Sequence, residues 1–204
     1  MSKFFKQKNT GRQILSLSKG FTLVETLVAI SIFTVSLLGM MSVLGSSIAN
    51  TSYAKQKMLA TYLAQEGIEY VRNMRDTYIL YPANGGWSGG NSFQSKLISC
   101  KDGNNNACGV NSSVLTTNSQ FIIQCGSGTQ CNLNVNTNGS YSINHSSGTD
   151  SGFVRKVWMT GADGLSTVTS ADEEVKIFSN VSWTQRSGNY SITFSENLFN
   201  WVGL

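Results

Sequence analysis

Cys100, Cys108, Cys125 and Cys131 have the widest chemical range of any side chains in this sequence. Seven residues separate the first two and five the last two, too many for the two-to-four-residue spacing of structural zinc ligands. In an exported segment disulfides are the leading expectation, and four cysteines allow three connectivities. Pairing Cys100 with Cys108 and Cys125 with Cys131 is preferred, because each pair brackets a turn-rich loop. Closing loops this short stabilises by about 2–3 kcal/mol in the chain-entropy view.

The other candidates carry less. Asp102-x-Asn104-x-Asn106 imitates the opening of a calcium loop, but Ala107 stands where glycine is needed and Ser113 where the bidentate acid belongs. A polar turn is the first reading there, and a loop site at Asp102 or Asp163 the second. His145 is the sole histidine, in a Ser/Asn/Gly stretch with no nucleophile or phosphate-loop signature beside it. Asp172-Glu173-Glu174 precedes a strand pattern and is expected to face water. No catalytic constellation emerges, so no enzyme, cofactor or metal site is expected.

Glu25 is different. It sits four residues into an apolar run that continues to about Ala49, where an ionised carboxylate costs a few kcal/mol and therefore has a partner or a task. Ahead of it stand Lys3, Lys6, Lys8, Arg12 and Lys19, with no acidic residue. This flank stays in the cytoplasm and the rest is exported. The formal charge of +4 reflects that flank: without these five of the fifteen basic residues, ten face eleven acidic ones, a net −1. The basic balance thus gives no argument for nucleic-acid binding. An ordinary secretory signal is disfavoured by an apolar part about twice the usual length and by the lack of a small-x-small site at the junction. A plain anchor gains nothing from Glu25.

Gly20-Phe21-Thr22-Leu23-Val24-Glu25 resembles the class III signal of type IV prepilins and type II secretion pseudopilins. The resemblance implies a cut after Gly20 by a membrane-embedded prepilin peptidase and N-methylation of Phe21. Glu25 then matches the glutamate that neutralises the terminal ammonium in the filament, so Phe21 and Glu25 become the assembly residues. Implied partners are the peptidase, other pilin subunits through the N-terminal helix, the inner-membrane assembly platform and the membrane. Phe153-x-Arg155, the Val175–Trp183 strand and Asn200-Trp201 resemble the C-terminal half of PilV-like minor pilins. Major pilins of this family often carry a mid-helix proline, which this sequence lacks, its one proline being Pro82.

The elements that must position these residues read as α+β: one long N-terminal helix packed on a C-terminal antiparallel sheet, a pilin-like lollipop. Residues 1–20 form the cleaved leader. Residues 21–49 are apolar around most of the helix, and about 29 residues at 1.5 Å rise span roughly 43 Å, enough to cross a bilayer. Thr22, Thr26, Ser31, Thr34, Ser36 and Ser42 can return their hydroxyls to the preceding turn. Residues 50–81 turn amphipathic through Leu59, Leu63, Tyr70 and Met74, with Glu66 and Gly67 interrupting the stripe and Glu69–Arg72 as an i, i+3 pair. Pro82 and Asn84-Gly85-Gly86 stop the helix near Tyr78.

Residues 82–204 form the head. Residues 84–152 are a variable region expected to mix short strands joined by surface loops with weakly ordered chain, its apolar islands being Phe93–Ile98, Val114-Leu115, Phe121–Ile123 and Leu133–Val135. Within 153–201, a strand over Phe153–Met159 joins a hairpin of Val175–Trp183 with Tyr190–Phe194, where Phe178 and Ser179 break the alternation. Trp201 is expected to pack back on the sheet. The expected function is structural: a minor pilin or pilin-like subunit of a type IV pilus, serving adhesion, motility or DNA uptake. The alternatives are a type II secretion pseudopilin, some of which bind calcium, and a membrane-anchored adhesive head using the aromatic loops around Trp87 and Tyr141. The expected location is the bacterial inner membrane, single-pass with an exported head, and then a pilus or pseudopilus.

Overall fold

A computed structural model of the chain describes residues 20–103, 106–114, 120–126, 131–143, 148–186 and 188–201. The chain divides into two units between Ala49 and Asn50. Helix α1 runs from Leu23 to Leu80, two residues past the expected stop. Pro82 then opens a 3-10 turn through Asn84, whose side-chain amide donates at 3.4 Å to the Thr77 carbonyl, which also accepts from the Tyr81 amide at 3.3 Å. Gly85 follows at φ 107°, where a side chain would meet the Asn91 backbone.

In the first unit, the side chains of α1 from Leu23 to Leu44 are exposed, although most are large and apolar. Thr26, Ser31, Thr34 and Ser36 donate their hydroxyls to carbonyls three or four residues back at 2.8–2.9 Å. These hydroxyls are thereby spent within the helix, and apart from Glu25 the surface left over is mostly hydrocarbon. This helix is long and apolar enough to cross a membrane.

In the second unit the pattern inverts. Ala60, Leu63, Ala64, Ile68, Val71, Met74 and Tyr78 of α1 are buried against a seven-stranded antiparallel sheet. The strands are β1 (Cys108–Val110), β2 (Ile122–Gln124), β3 (Asn132–Val135), β4 (Tyr141–Ser142), β5 (Thr149–Gly161), β6 (Glu174–Gln185) and β7 (Gly188–Phe199). β5 pairs with β6 on one side and with both β1 and β3 on the other, and β7 pairs with β6. Two apolar clusters fill the space under α1. One gathers Val71, Met74, Tyr78, Phe93, Leu97, Val110, Val157, Ile177 and Leu198; the other gathers Ala60, Leu63, Leu133, Phe153, Val181 and Trp183. Each large apolar side chain fully removed from water contributes about 1.5–3 kcal/mol.

Three details depart from the sequence reading. Phe93–Leu97 is a short helix, α2, rather than a strand, because Ser92 and Ser95 form a reciprocal capping box that starts a helical turn. Trp201 keeps 44% of its surface exposed instead of packing on the sheet. The alternation of β6 is unbroken: Val175, Ile177, Ser179, Val181 and Trp183 all face inward. Phe178 stands on the outer face, stacked on Trp158 with centroids 5.1 Å apart. Leu115, Asn104 and His145 lie outside the described residues, as do leader residues 1–19.

Candidate functional site: the N-terminal end of α1

Thr22 closes the start of α1. Its hydroxyl accepts from the Glu25 amide at 3.2 Å and its carbonyl from the Thr26 amide at 3.1 Å. Thr22 was expected to bond back into the preceding turn; it is instead the residue from which the helix begins. A threonine there satisfies a first-turn N–H that apolar surroundings could not, a contribution of about 1 kcal/mol. Glu25 is the acidic residue of that first turn, where the helix dipole favours negative charge. Gly20 and Phe21 precede the helix and are exposed, Phe21 by 79%. Among the described residues Glu25 makes no ion pair, since all four salt bridges lie in the second unit. The arrangement is a carboxylate held at the start of an apolar helix, one turn from the Gly20–Phe21 bond.

The head candidates are tied into turns and crossings. Cys100 bonds to Cys108, anchoring the chain after α2 to β1 within the larger cluster, and Cys125 bonds to Cys131, joining the end of β2 to the start of β3. Asp102 accepts from the Asn106 backbone at 3.4 Å and from its side-chain amide at 2.9 Å. Asp163 Oδ1 accepts from the Leu165 and Ser166 amides at 2.8 Å each and from the Ser166 hydroxyl at 2.9 Å. These bonds, Ser166 first, hold its carboxyl below the usual carboxylate range.

The acidic triplet does more than face water. Asp172 accepts from the Thr169 amide at 2.6 Å, Glu173 from Asn200 at 2.6 Å, and Glu174 from Asn197 at 2.5 Å, fastening the β6 end of the sheet. Among the described residues no three His, Cys, Asp or Glu side chains are placed to share a metal ion. Trp87 is 5% exposed, stacked on Phe93 at 5.3 Å, and donates its Nε1–H to the Asp172 carbonyl at 2.7 Å. It is therefore a core residue and not a surface for a carbohydrate.

Sequence reasoning missed the polar centre of the head. Arg155 of β5 is fully buried beneath α1. Its Nη1 donates to Glu66 Oε2 at 2.7 Å and to the Leu63 carbonyl at 3.3 Å, and its Nη2 donates to the Val110 carbonyl at 3.5 Å. Tyr70 donates its hydroxyl to Glu66 Oε1 at 2.7 Å, and its ring centroid lies 5.3 Å from the guanidinium carbon. Burial, then the Glu66 bond, push the Tyr70 hydroxyl above its ordinary pKa. The available signal was Glu66-Gly67 interrupting an apolar stripe, together with a charge at an inward position of a strand.

A second cross-link ties α1 to β7. Arg72 donates to Glu196 through Nη2 at 2.5 Å and Nε at 3.3 Å, and Nη1 meets Glu69 at 2.6 Å. The hydrogen bond to Glu196 is the main cause that raises the Arg72 pKa.

Residues 15–41 match the family described as the prokaryotic N-terminal methylation motif. No curated protein and no solved structure matches the chain. The motif spans the basic-to-apolar junction, Thr22 and Glu25, and supports a type IV pilin-like or pseudopilin subunit, a structural component rather than an enzyme. It implies processing by a prepilin peptidase and assembly with other pilins. Together with the apolar helix it is consistent with a single-pass inner-membrane protein.

Proposed function

We propose that this chain is a minor pilin, of the PilV-like kind, that enters a type IV pilus through residues 21–49. Cleavage after Gly20 frees Phe21, which is methylated, and the Glu25 carboxylate neutralises the amino terminus of a neighbouring subunit and sets its register. The observation that carries this reading is Glu25 at the start of an exposed apolar helix, in no ion pair among the described residues. Burying that helix among others of its kind stabilises the assembly by the hydrophobic effect. A buried carboxylate is tolerable there only with an opposite charge beside it.

The test is the intact mass of the mature chain together with its presence in sheared filaments. Fragmentation should show a mature chain that begins at Phe21 with one added methyl group, and Gly20→Ala should leave the precursor uncut. Glu25→Ala should be processed yet missing from filaments; normal incorporation of that variant would overturn the register role. Recovery only beside a secretion channel, with secretion lost and pili intact on deletion, would replace the pilus by a type II secretion pseudopilus.

A further inference from the structure

β7 is a twelve-residue strand that, among the described residues, pairs with β6 alone. Its register with β6 runs without a bulge from Gln185↔Gly188 to Glu174↔Phe199. A two-residue hairpin loop closes on a hydrogen-bonded pair, here Gln185↔Gly188, and the alternation that follows turns the backbone groups of every second residue toward β6. The N–H and C=O groups of Asn189, Ser191, Thr193, Ser195 and Asn197 therefore point to the open edge. Protein sheets guard such edges with lysine, proline, bulges or inward charges. β7 has no lysine, proline or bulge, and its one inward charge, Glu196, is engaged by Arg72 of α1.

The row also reads the same from either end: Asn, Ser, Thr, Ser, Asn about Thr193. Two copies laid antiparallel with Thr193 opposite Thr193 place Ser191 against Ser195 and Asn189 against Asn197, hydrogen-bonding pairs with no like charges opposed. On the helix-facing side the same register sets Ile192 against Phe194 and Tyr190 against Glu196. A register centred on Phe194 would set Ile192 against Glu196 and lose both matches. We infer that the β7 edge is a self-association site, on which a second copy of this chain adds its own β7 antiparallel about Thr193, extending the sheet across a two-fold axis.

The direction of the pair follows from α1. The rings of Tyr53 and Tyr190 meet at a tilt with centroids 5.0 Å apart, and Arg72 binds Glu196, so α1 and β7 run in the same sense over this stretch. A two-fold that reverses β7 also sets the head's own stretches of α1 antiparallel to each other. The pairing rests on the head alone.

Cysteine cross-linking of the full chain in detergent tests the pairing. Thr193→Cys should form a disulfide-linked dimer on mild oxidation, since hydrogen-bonded partners lie about 5.5 Å apart between Cα atoms, within disulfide reach. Ser191→Cys and Ser195→Cys should each stay monomeric alone and link to one another when mixed. Failure of Thr193→Cys to link, or equal self-linking by Ser191→Cys, overturns the register and with it the proposal. Thr193→Pro should leave the full chain monomeric in the same detergent with circular dichroism unchanged, because that N–H is not used by β6. A dimer that survives Thr193→Pro overturns the proposal.

Discussion

Ser179, on the inward face of β6, lies directly against Gly67 of α1, so closely that a Cβ on Gly67 would overlap the serine hydroxyl and come within 3.2 Å of Arg155 Cδ. Gly67→Ala should therefore destabilise the head by about 1–3 kcal/mol through overpacking, outweighing the gain in helix propensity. Among the described residues the buried Ser179 hydroxyl has no hydrogen-bond partner, so Ser179→Ala should cost less than about 1 kcal/mol. The double variant should recover part of the loss, read as the shift in urea midpoint by tryptophan fluorescence.

Arg155 and Glu66 form the second test. Removing one member strands a buried guanidinium, so Glu66→Gln should cost about 2–4 kcal/mol, tempered by the partial exposure of Glu66. Adding Arg155→Met should restore at least half of that loss in the same urea titration. If the double variant is less stable than Glu66→Gln, the pair contributes more than removal of its burial cost can return.

Acid should loosen one turn before the rest. The folded Asp163 carboxyl lies below its ordinary range, so its contribution is present above the unfolded pKa and is lost as pH falls through the folded one. Hydrogen exchange at the Leu165 and Ser166 amides should therefore accelerate, relative to intrinsic rates, as pH is lowered through the carboxylate range. Asp163→Asn should remove that extra dependence on pH.

The two disulfides should not be equivalent. By loop closure alone each contributes about 2–3 kcal/mol. All four cysteines are buried, but Cys100 and Cys108 lie in the large cluster and Cys125 and Cys131 in a small one with Ala107, so replacing the first pair by alanine should cost more, through a cavity with more apolar lining, than replacing the second. Thermal melts of the two double variants under oxidising conditions give the comparison, and equal midpoints would contradict it.

The sequence made the long helix legible because composition changes where its environment changes, from apolar all round before Ala49 to striped after it. The β6–β7 hairpin was legible because period-two alternation flanks a short polar turn. What stayed hidden were contacts whose logic lies in two distant segments at once. Glu66-Gly67 looked like a fault in the helix, and Ser179 like a fault in the strand. They are two sides of one crossing, where a missing side chain admits a small one and a carboxylate meets Arg155. The Phe93–Leu97 helix was hidden for the opposite reason: two serines set it locally, and its apolar residues fit a strand as well as a turn of helix. At the candidate assembly end, Gly20, Phe21 and Glu25 stood out by charge and position, while the capping role of Thr22 needed the backbone to be seen.

The paired cysteines also decide what damage to the head looks like. A single backbone cut anywhere between Cys100 and Cys108, or between Cys125 and Cys131, falls inside a closed covalent ring. The two pieces stay joined, with α1 on one and β5 to β7 on the other. A protease acting on these loops would therefore nick the chain without releasing any part of it. Such a subunit would run at full size until its disulfides were reduced.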